Sequence, residues 1–450
     1  MSGPRLATTA APPHGVLAPA QHRTIAKLVK RLVPFLGLCY FAAYLDRVNV
    51  GFAALTMNKA LGITPEVFGW DAGIFFIGYF LFEVPSNVAL ERFGARLWIG
   101  RIMISWGIVS TCIAFVWNDA SFLVARFLLG IAEAGFFPGI ILYLTYWFPQ
   151  YYRARVIGWF MLSVPVSTVI GAPVSGAILG LNGVAGIQGW QWLFILEGVP
   201  SVLLGFAVMF LLRNGPADAS WLAPDERDWL ANEFESERTA RRAKHQYTLR
   251  QALADPRVLA LGFVYFGVVA TLYGLGFWLP QIVKAFGLTN VQTGFVTAIP
   301  YAVGATAMAL AGVSSDRIGE ARWHAGALAL TAAAGIIGST ALENPVLKMA
   351  ALSIAAIGIF GFLPVFWTLP SEFLTGTAAA GGIALINAIG NLAGFAGPVA
   401  MGYIKGATGS FSLGLIFIGL LAVMSFTLIF ALGFNRSHQQ EPSGKASGPR

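Results

Sequence analysis

Charged side chains buried in an apolar chain are the first place to look for chemistry. Asp46 and Arg47 stand side by side in one long apolar run, and Arg126 and Glu133 stand seven positions apart in another. A charge near the centre of a bilayer costs about 3 kcal/mol on insertion scales, so it is retained where it has work to do. A carboxylate at that depth can be neutralised by a proton. An arginine stays charged and offers two parallel N–H donors to a carboxylate. Acid and base together point to proton exchange beside an anion site. Adjacent helical residues point about 100° apart, so Asp46 and Arg47 need not face the same neighbours. Seven residues make two turns, so Arg126 and Glu133 share a face. The plainer reading of each charge is a static ion pair that fixes helix packing. Arg126, nearer the outer interface, could also snorkel to the surface.

Neutral residues add weaker candidates. Tyr44 and Tyr79 carry hydroxyls that can donate to an anion, and Asn387 and Asn391 share a helix face at i and i+4. Trp367, Thr368, Tyr265 and Tyr273 fall in apolar runs, where ordinary packing is the competing explanation. Glu83, just before Pro85, reads as a packing or inner-gate residue, and Glu197 and Glu372, near run ends, as structural. Trp147, Trp190, Trp192 and Trp323 read as interfacial belt residues.

Only a membrane can hold the elements that would position these groups. Of 450 residues, 56% are hydrophobic and 11% charged, less than half the roughly 25% of a soluble domain. Mean hydropathy is +0.69. About 20 apolar residues cross a bilayer, so the chain has material for about twelve spans. Apolar runs lie at 33–57, 67–90, 97–117, 121–146, 156–180, 192–212, 257–285, 292–314, 322–340, 346–371, 378–404 and 410–434. They predict an all-α protein of twelve spans, with a tail at 1–32, six spans over 33–212, a polar linker at 213–256, six spans over 257–434 and a second tail at 435–450. The runs are apolar all round, which excludes a β-barrel. Cys39 and Cys112 lie inside runs and the five histidines outside them or at their edges, so no disulfide framework or buried metal is expected. The chain has no GxxxxGK[ST] loop, HExxH or GxSxG, so neither direct ATP use nor hydrolysis is indicated. The net charge of +8 suits loops at a membrane better than nucleic acid. With the N-terminus inside, the tails and even-numbered loops hold 23 of the 29 Lys and Arg, which places both termini in the cytoplasm.

The chain also repeats itself. Glu91-Arg92-Phe93-Gly94-Ala95-Arg96 after the second span returns as Asp316-Arg317-Ile318-Gly319-Glu320-Ala321-Arg322 after the eighth, the acid, Arg and Gly each 225 positions on. Parallel six-helix repeats, with a site between the halves, organise one large transporter class. Chance similarity of short charged turns is the competing reading.

Glu91-Arg92-x-Gly94-x-Arg96 resembles the loop motif of the major facilitator superfamily, with Glu91 where Asp is commoner. Tyr44-Leu45-Asp46-Arg47-Val48-Asn49, Phe82-Glu83-Val84-Pro85-Ser86-Asn87 and the stretch from Arg126 through Glu133 to Pro138-Gly139 resemble its anion:cation symporter family, over about residues 30–435. That family includes tartrate, phthalate, sugar-acid, hydroxyphenylacetate and allantoate permeases. The resemblance implies a monomer in a bacterial cytoplasmic membrane, without a cofactor, that takes up a small organic carboxylate with protons by alternating access. It places substrate binding on Arg47, and the neutral candidates Tyr44, Tyr79, Asn387, Asn391 and Trp367 are expected to join it. Proton coupling falls to Asp46 and Glu133, with Arg126. Gating falls to Glu91, Arg92, Gly94 and Arg96, and to Asp316, Arg317 and Gly319. Tartrate is the first expectation. An aromatic carboxylate, an exporter, a channel and a membrane enzyme are the rivals, and sodium coupling stays open.

Overall fold

The computed structural model describes residues 19–243, 254–318, 320–371 and 376–432. Among these the chain is helical with short turns, and eleven segments are long and apolar enough to cross a membrane. Helices α1 (Pro19–Val48) and α2 (Val50–Leu61) form the first span, broken at Asn49. α3 (Pro65–Phe93) and α4 (Ala95–Cys112) follow. The fourth span is α5 (Asp119–Glu133) with α6 (Phe136–Trp147), and the fifth is α7 (Gln150–Met161) with α8 (Ser163–Ile178). α9 (Gly189–Leu211) completes the first half, and α10 (Pro224–Ala243) lies in the polar linker. The second half holds α11 (Pro256–Lys284), α12 (Asn290–Ile318), α13 (Ala321–Thr340), α14 (Pro345–Phe366) with the short α15 (Thr368–Ser371), α16 (Gly376–Thr408) and α17 (Ser412–Ala431). α13, with 20 residues, is the twelfth spanning helix, and it carries Arg322 and His324 in its first turn.

Local chemistry sets the helix ends. Thr64 caps α3, its hydroxyl accepting from Val67 N, and Pro65 occupies the first helical position, where its missing N–H costs nothing. Asn118 and Ser121 cap α5 reciprocally. α1 starts at Pro19, well inside the expected tail, because Ile25, Leu28 and Leu32 form a buried stripe among Lys27, Lys30 and Arg31.

The packing repeats as the sequence does. α3 and α12 both have 29 residues and begin at 65 and 290, the same 225-residue offset. Within the first half α1 packs on α8, α3 on α5 and α4 on α9. Their counterparts in the second half, α11 on α16, α12 on α14 and α13 on α17, pack the same way. The two most extensive seams between the halves are α3 against α16 and α8 against α12. At the end of the bundle away from the linker both seams are built on glycine. A Cβ on Gly69 would lie 2.7 Å from Pro398 O, one on Gly402 2.5 Å from Pro65 O, and one on Gly176 2.5 Å from Asn290 O. Backbone meets backbone there, which seals that end.

Candidate functional site

Between the halves lies a cavity with about 560 Å³ of empty space. Tyr40, Tyr44 and Arg47 line it from α1, Tyr79 from α3, Phe137 from α6, Met161 and Val164 from the fifth span, Tyr265 and Tyr273 from α11, Leu363 from α14, and Asn387 and Asn391 from α16. Among the described residues Arg47 is its one lining cation.

Two helix breaks deliver the central charges. α1 stops one residue after Arg47, and α5 stops at Glu133 itself. Gly135 then adopts φ +84°, and a Cβ there would collide with Ser86 Oγ, so glycine is required. Arg47 Nη2 pairs with Glu133 Oε1, and Nη1 donates to the Tyr273 hydroxyl of the other half at 2.9 Å. The guanidinium lies 5.3 Å from the Phe75 ring centre and 5.4 Å from that of Tyr79. Glu133 is fully buried and its second oxygen, Oε2, has no hydrogen-bond partner. The pair can therefore exchange one carboxylate for another at Arg47, with an oxygen at hand for a proton.

Asp46 points away from the cavity. Trp106 Nε1 at 2.8 Å and Ser201 Oγ at 2.7 Å donate to its Oδ2, and Ser110 Oγ at 2.9 Å to its Oδ1. Three neutral donors from α4 and α9 thus satisfy it. Arg126 does not snorkel. It is fully buried and donates to the carbonyls of Asp71 at 3.3 Å and Ala72 at 3.1 Å, clamping α5 to α3. Asp71, also fully buried, has two carboxylate oxygens without hydrogen-bond partners and was missed in the sequence, although an acid inside an apolar run was signal enough. Glu197 lies nine residues into α9, not at its end, and accepts from Ser175 on α8 at 2.7 Å.

Asn387 and Asn391 do reach the cavity, as does Tyr79, but Trp367 stands behind it, edge-on to Tyr265. Asn387 Nδ2 donates to Glu83 Oε1 at 3.0 Å, across the halves. Trp147 and Trp190 are buried, unlike interfacial belt residues, and Trp147 stacks on Trp221 of the linker at 5.6 Å, while Trp323 is exposed.

The two loop motifs lie far from the cavity. Gly94 has φ +86° and sits against Asn214, whose side chain accepts from Arg96 N at 3.2 Å, while Arg96 Nε donates to Met209 O at 2.5 Å near the end of α9. Arg322 in the second half does the same at the end of α17, donating to Ile429 O at 3.2 Å and Phe430 O at 2.6 Å. Glu91, Arg92 and Arg317 are exposed, with Arg92 over the Phe93 ring. Gly319, Glu372 and the side chain of Asp316 lie outside the described residues.

A twelve-span helical bundle, duplicated, with a charged cavity between its halves, defines a transporter and not an enzyme. Residues 36–398 match the Major Facilitator Superfamily, and the chain belongs to that family. It is 51% identical over 410 residues to a protein of Agrobacterium vitis named "Putative tartrate transporter", covering 91% of this chain and 94% of the relative. It is 43% identical to a protein of Acinetobacter baumannii named "Quinolone resistance transporter", covering 89% and 92%. Its fold superimposes with a TM-score of 0.72 on a crystal structure of a bacterial homologue of the human lysosomal transporter Spinster, at 19% identity, covering 89% of this chain and 96% of that one.

Proposed function

We propose that this protein takes up a small organic anion, tartrate being the first choice, together with protons, across a bacterial cytoplasmic membrane with both termini inside. The observation that carries the reading is the buried Arg47–Glu133 pair, whose arginine lines the cavity between the halves. A guanidinium there is the best receptor for a substrate carboxylate. Protonation at Glu133 Oε2 weakens its hold on Arg47, and the substrate carboxylate takes over. Tyr273, Tyr44 and Tyr79 supply hydroxyls around it. The 51% identity to the relative named for tartrate supports the substrate. Asp46 is the second proton site in this reading. Its three donors lie on α4 and α9, so a change in its charge is felt by the packing of α1 against them. Arg96 and Arg322 tie helix ends within each half, while Arg92 and Arg317, with Glu91 and Asp316, latch the linker end when the cavity opens the other way.

The cavity wall favours a second reading. Tyr40, Phe137 and Tyr265 offer ring faces, and the 43% relative is named for quinolone resistance, so an aromatic carboxylate is the alternative substrate. Proteoliposomes with an imposed pH gradient separate the two. Accumulation of labelled tartrate supports the first. Accumulation of phthalate without tartrate supports the second, and a response to a sodium gradient alone overturns the coupling ion.

A further inference from the structure

Glu83 lies one turn beyond Tyr79 on α3, and the sequence reading gives it a packing or gate role. Its partners belong to the site. Asn387 donates to it at 3.0 Å, and Asn391, on the next turn of α16, faces the same carboxylate. Both asparagines line the cavity. The amides expected to receive a substrate anion thus hold a carboxylate of the protein itself. Arg47 does the same with Glu133. The Glu83–Asn387 bond also closes the α3–α16 seam on the linker side. The seam runs from Gly69 against Gly402 through Phe76 against Gly394, and beyond Glu83 on α3 Val84 and Val88 are 69% and 62% exposed.

We propose that Glu83 is an internal ligand that holds Asn387 and Asn391 until it takes up a proton, whereupon an organic anion takes its place. This rests on the reading of the cavity as an organic-anion site. An ionised Glu83 would repel an incoming anion and compete for the same donors. A protonated Glu83 is neutral, binds the amides less strongly, and has an O–H to donate. The proton comes from the medium and stays on the carboxyl group, while the amide N–H bonds pass from Glu83 to the substrate oxygens. The groups facing Glu83 are Arg47 from α1, Tyr265 from α11, Tyr79 on its own helix and the two asparagines of α16. Glu133 on Arg47 and Glu83 on the asparagines then form two internal carboxylates, one for each pole of a dicarboxylate, and each adds one proton to the binding step.

Tartrate binding to the purified full chain, measured by calorimetry from about pH 5 to about pH 8, spans the range over which a perturbed carboxyl group titrates. Affinity of the unmutated protein should fall with rising pH, by up to about tenfold per unit for each linked proton. Glu83→Gln should remove one proton from that slope and bind tighter at the high end. In the double variant with Asn387→Ala the gain should vanish, because the amide that donates to Glu83 is no longer there to be released. An unchanged slope in Glu83→Gln overturns the proposal. A gain that persists in the double variant also overturns it, since it would assign the effect to charge repulsion alone. If tartrate binds at no pH, the tartrate reading falls and the ligand-free protein decides. The infrared carboxyl band lost in Glu83→Gln should shift in Asn387→Ala, and a band that does not move sinks the internal-ligand assignment.

Discussion

The two halves share a packing plan and differ in chemistry. Among the described residues, the buried charges Asp46, Arg47, Asp71, Arg126, Glu133 and Glu197 all lie in the first half. The buried polar residues of the second are Thr271, Thr293, Thr297, Ser315, Ser339 and Ser425. Toward the cavity the second half shows tyrosine hydroxyls and two asparagine amides. Duplication kept the helix contacts and let the charge concentrate on one side. In the proposed cycle the first half changes charge, and the second supplies a neutral wall that hydrogen-bonds whatever charge faces it. A neutral partner surface suits alternating access, because the same wall must serve the loaded and unloaded states.

Four substitutions test that division. Glu133→Gln fixes the protonated state, so proteoliposomes should lose all accumulation against a gradient while keeping tartrate counterflow. Accumulation driven by the pH gradient in that variant would move the coupling proton elsewhere. Arg47→Lys keeps the charge but loses the fork, and tartrate affinity should drop by about 2–3 kcal/mol, roughly a hundredfold, in calorimetry. Tyr273→Phe removes one donor of the second half. It should cost about 1 kcal/mol, or roughly fivefold in affinity. A loss as large as that of Arg47→Lys would end the view of the second half as a wall. The smallest effect belongs to the surface pair of Lys27 and Glu226, 2.8 Å apart. Lys27→Ala should cost less than about 1 kcal/mol in thermal unfolding. Partial burial pushes Glu226 up, but the Lys27 hydrogen bond and Ala223 N–H outweigh it and hold the carboxyl group below its ordinary value. The pair's contribution is therefore present above the unfolded value of about 4.3 and lost as pH falls through the folded one.

Span number, the duplication and the cavity charges were legible because each leaves a local trace: a run of apolar residues, a recurring turn, a charge out of place. Arg47, Tyr79, Asn387 and Asn391 reach the cavity as the sequence suggests. Trp367 falls one layer short, since a residue's depth along a span does not fix the face it turns. The early start of α1 was hidden by Lys27, Lys30 and Arg31 on its polar face. Trp147 looked interfacial because its packing partner, Trp221, belongs to the linker. The bond between Glu83 and Asn387 was not legible, because the two lie 304 residues apart and no local pattern announces a contact of that kind.

The glycine seams have a thermal consequence. Where Gly69, Gly176 and Gly402 meet opposing backbone, few side chains gain or lose rotamers when the halves part. Fixing or freeing a long side chain shifts −TΔS by up to about 2 kcal/mol, whereas glycine and alanine contribute none. Parting at these three contacts therefore carries almost no side-chain entropy, and they should add little to the temperature dependence of the balance between the two access states. The rest of that dependence falls to the side chains elsewhere along the seams and to the lipid and water that fill the opened gap.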